Sequence, residues 1–270
     1  MNKYHKKKFK IAFIYLLILV IIVGGIYLLI KLKSPSCSDG IQNQREEGID
    51  CGGPCPPCPW QIQKDLEIIF TEAIETQDNY SDLIAKIRNP NKEFGAELFS
   101  YAFDLYDSQG SLIISKQGSS YILPQETKYI IEQKVLVQSK IYNVEFRVVH
   151  VPWQKLVDYE EPELLIRNLD FKQLDNTSQL SGTLENRGNY DFDRIDIYSV
   201  LFDAESNVVG AGKTEARTIL SKESRYFEIN WFFPIDVRLE NIDASAKTNV
   251  FLDENFMRRY GDGGGRFQEY

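Results

Sequence analysis

Histidine is nearly missing from this chain: only His5 and His150 occur in 270 residues. A Ser-His-Asp or Cys-His relay would have to rest on His150, and no nucleophile motif flanks it. The sequence also lacks a P-loop, a dinucleotide-binding glycine fingerprint and an H-E-x-x-H zinc motif. Carboxylates offer no substitute, because 39 acidic residues make close pairs commonplace and single out none. Cysteine is confined to Cys37, Cys51, Cys55 and Cys58, so everything after residue 58 must be held by packing alone. Basic residues are just as unevenly placed. Seven of the 31 fall in the first 33 positions, leaving 24 against 39 acids and a net charge of −15 over residues 34–270. Such a surface repels phosphate, which excludes a nucleic-acid partner. These absences predict a protein that is not an enzyme.

Long apolar runs are absent too, with one exception. Ile11 to Ile30 is 20 residues without a charge, about 30 Å of helix and the thickness of a bilayer core. Five lysines precede it (Lys3, Lys6, Lys7, Lys8 and Lys10) and two follow, Lys31 and Lys33. That bias predicts an uncleaved single-pass signal anchor with its N-terminus in the cytoplasm and the bulk of the chain extracytoplasmic. The membrane and a protein of the cell envelope are the expected partners.

Outside the cytoplasm, four cysteines within 22 residues most simply form two disulfides, in any of three connectivities. Two other chemistries compete. A structural zinc site favours paired C-x-x-C knuckles, and only Cys55-Pro-Pro-Cys58 has that form here. The same four residues could act as a thiol-disulfide redox pair, although the surrounding prolines and glycines read as loop instead of a helix start. Between the cysteines lie Asp39, Asn43, Glu46 and Asp50, oxygen donors in a glycine-containing loop. Such a set suits calcium, which takes six to eight oxygens, and would make this a calcium-dependent adhesion module. The run Cys37, Asp39, Gly40, Asn43, Glu46, Gly48, Asp50, Cys51, Gly52, Gly53, Cys55 resembles a short cysteine motif of surface-anchored and secreted prokaryotic proteins. That resemblance implies an extracytoplasmic setting and no catalytic role.

The remainder of the chain reads as a duplication. Leu83, Asn89, Ile122-Leu123, Glu126 and Tyr129 match Leu180, Asn186, Ile219-Leu220, Glu223 and Tyr226, each 97 positions on. Asp107 matches Asp203 after a one-residue slip. A period this long is a domain, not a solenoid repeat. Alternation through 98–106 and 195–202, followed by turn residues at 107–110 and 203–207, predicts antiparallel strands joined by hairpins. The fold class expected is therefore mainly β: two tandem antiparallel immunoglobulin-like β-sandwiches of about seven strands, behind one N-terminal transmembrane helix and a cysteine-rich stalk. The boundaries read as a cytoplasmic tail over 1–10, a transmembrane helix over 11–30, a stalk over 31–60, sandwiches over 61–157 and 158–255, and a flexible tail over 256–270. Trp153 and Trp231-Phe-Phe233 are expected to close the two sandwiches.

Phe103-Asp-Leu-Tyr-Asp107 spells F-x-L-Y-D, and this half of the chain resembles the FxLYD domain, a small bacterial and archaeal β-sandwich. The second copy, Ser199-Val-Leu-Phe-Asp203, departs from the pattern at its first and fourth positions. The resemblance implies the fold and an envelope location, and carries no shared activity.

Overall fold

The computed structural model describes residues 3–32, 36–58, 62–77, 79–156, 158–235 and 239–260. It divides into two units, Met1–Ile62 and Gln63–Tyr270. Trp60 and the glycine-rich tail after Tyr260 lie outside the described residues.

In the first unit, helix α1 covers Lys3–Leu32, yet the transmembrane expectation is corrected. Among the described residues no helix is long and apolar enough to cross a membrane. Residues 36–58 form a loop knot whose one β-bridge joins Gly48 and Cys51.

The second unit is built from two copies of one topology. The first copy contains β1 (Glu67–Glu75), β2 (Tyr80–Arg88), β3 (Phe94–Tyr106), β4 (Leu112–Ile122), β5 (Thr127–Leu136), β6 (Asn143–His150) and the short β7 (Gln154–Lys155). The second contains β8 (Leu164–Gln173), β9 (Ser178–Asn186), β10 (Phe192–Asp203), β11 (Val208–Ile219), β12 (Ser224–Trp231) and β13 (Leu239–Lys247). Sheets ordered β1-β2-β5 and β4-β3-β6 in the first copy correspond strand for strand to β8-β9-β12 and β11-β10-β13 in the second. Among the described residues each copy has six full strands where seven were expected. In the first, β7 pairs with the start of β3, at Phe94 and Gly95, beyond the stretch that β6 covers.

The repeated residues explain the repeated fold. Phe103 and Leu105 alternate into the first core and are wholly buried. Asp107 ends the strand: its Oδ1 accepts the Gln109 and Ser111 amides at 2.8 and 2.9 Å, closing the β3–β4 hairpin. Asp203 does the same for Glu205 and Asn207 at 3.0 and 2.8 Å. A second device joins the two sheets. Asn89 Nδ2 donates to the carbonyls of Phe94 and Leu123, both at 2.7 Å, while its Oδ1 accepts the Asn91 amide at 3.0 Å. Asn186 repeats this clasp with Tyr190, Leu220 and Gly188, at 2.8, 3.0 and 3.1 Å. Beside each clasp a glutamate, Glu126 or Glu223, accepts the amide of that leucine at 2.8 Å.

Two expectations change at this level. The sandwiches do not stand apart but belong to one unit, because β1-β2-β5 is covered on both faces. Leu83, Ala85 and Ile87 enter the first core, while Ile84, Tyr129 and Ile131 pack on Tyr198, Val200, Val208 and Ala211 of the second copy. Lys86 Nζ and the Tyr129 hydroxyl both reach Asp243 Oδ2 across this seam. Secondly, the tail expected to be flexible from 256 begins with helix α2 (Glu254–Tyr260). Phe256 and Tyr260, 1% and 4% exposed, seal the second core beside Tyr190. Trp231 is buried in that same core, with its indole N–H on the Ala211 carbonyl at 2.9 Å, and Trp153 packs half-buried against the first core.

Candidate functional site

The knot settles the cysteine pairing as Cys37–Cys55 and Cys51–Cys58. Cys55 and Cys58 thus belong to different bridges and do not form the single C-x-x-C disulfide that a redox pair requires. No free thiol is left among the four for a zinc knuckle.

The bridges bring Asp39, Asn43, Glu46 and Asp50 into one hydrogen-bonded loop. Asp50 Oδ1 accepts the amides of Asp39 and Gly40 at 2.8 and 3.0 Å. Asp39 accepts the Ile41 amide at 2.9 Å and the Asn43 side-chain amide at 2.9 Å. The Asn43 bond, aided by the Ser36 and Ile41 amides, holds the Asp39 carboxyl below the usual range. Glu46, buried, accepts the Asn43 and Asp50 amides through Oε2 at 3.1 and 3.3 Å. Its Oε1 rests 3.1 Å from Cys55 Sγ, a contact and not a donated bond, since an oxidised sulfur carries no proton. Gly40, Gly52 and Gly53 adopt φ of +72°, +80° and +58°, and a Cβ on Gly53 would collide with the Arg45 carbonyl. The spacing of these acids and glycines is accounted for by backbone amides that need acceptors and turns that need a left-handed residue.

A different place, in the second unit, holds a cleft. The seam between the sandwiches is dry around Val200 and Val208, then parts along β10 into a cleft of about 620 Å³. One wall comes from β3, β4 and β5 of the first sandwich, the other from β10, β11 and the turn after β13. Period-two alternation produces the second wall: Ile195 and Ile197 point into the core, while Asp196 and Tyr198 line the cleft. Tyr101, Tyr121, Tyr129 and Tyr198 supply its aromatic surface. Gly118 lies opposite Tyr101 in register, and a Cβ there would strike the Tyr101 ring. The glycine therefore lets that ring lie across the sheet.

Behind Tyr121 sits Lys128, 1% exposed. Its Nζ donates to the Tyr121 carbonyl at 3.1 Å and stands 3.3 Å from the centre of the Tyr121 ring. Burial pulls its pKa down to about 8, against the opposing pull of Glu126 and Asp196. Burial also pushes the phenols of Tyr101, Tyr121, Tyr129 and Tyr198 above the ordinary tyrosine range. Asn249 Oδ1, on a cleft residue, has no hydrogen-bond partner among the described residues. The buried Tyr121 hydroxyl faces the Asp196 carboxylate.

Sequence reasoning placed its candidates in the knot and missed this cleft. Its residues are scattered from 97 to 253, and no local spacing marks them.

No family model matches the chain, and no curated protein sequence does. Among solved structures, the crystal structure of red sea bream transglutaminase aligns with 67% of this chain and 29% of its own, at 10% identity and a TM-score of 0.21. This chain spans under a third of that protein's length, and a likeness so low carries no functional argument.

Proposed function

We propose that this chain is an extracytoplasmic, non-catalytic binding protein that recognises its ligand in the cleft between the two sandwiches. Two disulfides mark it as an extracellular-type protein, and its mass is sandwich-like β-structure. The observation that carries the reading is a cleft of about 620 Å³ at the seam, walled by Tyr101, Tyr121, Tyr129 and Tyr198, with Asn249 Oδ1 unpartnered among the described residues. Buried polar groups in folded proteins nearly always find partners, and a cleft of this size at a domain seam is where ligands bind. The F-x-L-Y-D resemblance agrees with a scaffold of this kind at the cell envelope.

The test is a thermal-shift panel of saccharides, peptides, nucleotides and amines on the full chain and on Ser119→Trp. Ser119 is an exposed residue on the cleft wall, so tryptophan there fills space without entering a core. At least one ligand class is expected to raise the melting temperature of the wild type and not of the variant. Shifts that are absent, or equal in both proteins, contradict the reading.

A further inference from the structure

We infer that Glu46 guards the Cys37–Cys55 bridge against thiols, so that this half of the knot resists exchange through charge as well as burial. The inference concerns the first unit and is independent of the cleft. The two ends of the bridge are unlike: Cys37 is exposed, while Cys55 is 8% exposed. A thiolate arriving from solvent therefore meets the Cys37 sulfur first, and that choice fixes which sulfur must leave.

The reaction is displacement at sulfur by a small thiol. Its thiolate bonds to Cys37 Sγ, the Cys37–Cys55 bond breaks, and the electron pair of that bond leaves on Cys55 Sγ. A second thiol then removes the first from Cys37 as a disulfide. Two thiols are oxidised in all, and the bridge is reduced to two cysteines. Exchange is fast when the departing sulfur has a low thiol pKa and carries negative charge readily. Cys55 is the opposite case. Glu46 Oε1 lies 3.1 Å from its sulfur, and both residues are buried. A thiolate formed there faces a like charge with little water to screen it, which raises the barrier to its departure.

The loop keeps the carboxylate in place. Its Oε2 accepts the Asn43 and Asp50 amides at 3.1 and 3.3 Å, which leaves Oε1 turned to the sulfur. No lysine or arginine pairs with Glu46 among the described residues. A Glu46 carboxyl oxygen is also within 4.8 Å of Cys37 Sγ, so the incoming thiolate meets the same charge as the departing one. The guard is kinetic. Once protonated, a Cys55 thiol can donate to the same oxygen, so the rate of opening is what Glu46 controls and not the stability of the reduced form.

The experiment exposes the full chain, wild type and Glu46→Gln, to 2-mercaptoethanol at pH 8. Samples are quenched in acid over time and alkylated, and each cysteine is followed by peptide mass spectrometry. Glutamine keeps an acceptor for the two amides and removes the charge. The expected result is that Glu46→Gln opens Cys37–Cys55 about tenfold faster and leaves the rate at Cys51–Cys58 unchanged. In the wild type the trapped mixed disulfide is expected on Cys37. An equal acceleration of both bridges means that the knot has merely loosened, and it overturns the inference. An unchanged rate at Cys37–Cys55 overturns it too. The wild type supplies a test that does not depend on the variant: a mixed disulfide on Cys55 would make Cys37 the departing sulfur and refute the guard.

Discussion

Lys128 is a residue that composition does not prepare one for: a lysine with no solvent, between two sandwiches. Its charged form is penalised by burial, and Glu126, Asp196, Lys247 and Arg194 are the charges that bear on it. Below pH 8 it is protonated in both folded and unfolded chains, and the folded state carries the whole cost. As the pH rises from about 8 toward 10.5 the folded state sheds the proton first. The unfolded chain then holds more protons, so stability rises through that window. Above pH 10 the buried tyrosines reverse the trend, because they stay protonated folded and ionise unfolded. Denaturant titrations should therefore show stability climbing from pH 8 to near 10 and falling beyond. Lys128→Met should lose the climb, which amounts to at most about 3 kcal/mol. A flat profile in the wild type would refute this account of Lys128. The twin asparagines make a second residue-scale prediction. Asn89→Ala and Asn186→Ala each free two carbonyls and one amide at equivalent places. Each should cost about 2 kcal/mol in urea unfolding, and a large inequality between them would mean that the two clasps are not doing equivalent work.

Among elements, α2 and the two-faced sheet differ most from their sequence appearance. Glu254–Tyr260 is only seven residues long, and the glycines that follow it make the whole end read as loose. Its apolar content, Phe256, Met257 and Tyr260, lies on one side at helical spacing, which was the available signal. Phe256→Ala should destabilise the protein by about 3–5 kcal/mol, as loss of a buried aromatic does. Circular-dichroism melts would check this, and an unchanged melt would show that α2 does not close the core. Strand β2 carried a similar clue. Leu83-Ile84-Ala85 is apolar without alternation, and all three are wholly buried. An unbroken apolar run in a strand signals burial on both faces, the mark of a second partner. Asp107 and Asp203, by contrast, were legible as turn formers from their type and place alone. The knot was legible as two disulfides but not in its pairing, because three connectivities fit the same spacing.

At the scale of the molecule, the duplication at 97 residues was readable because Asn89, Asp107 and Glu126, which build clasps and turns, recur as Asn186, Asp203 and Glu223. The union of the two copies was not readable, since Ile84, Tyr129, Tyr198 and Val200 meet only in three dimensions and have the pattern of ordinary core residues. Neither was the cleft, which exists because the seam parts where β10 changes from Val200 and Tyr198 to Asp196 and Arg194. The central claim is that Gln63–Tyr270 folds and unfolds as one body, which gives the cleft two fixed walls. Hydrogen exchange on the full chain, wild type and Trp231→Phe, tests it most directly. Trp231 lies in the second core and its substitution removes the bond to the Ala211 carbonyl. If the sandwiches are one cooperative unit, the slowest amides of β3 lose as much protection as those of β10. Protection lost in β10 with β3 unchanged would contradict the claim, leaving two sandwiches that open independently and a cleft without a fixed shape.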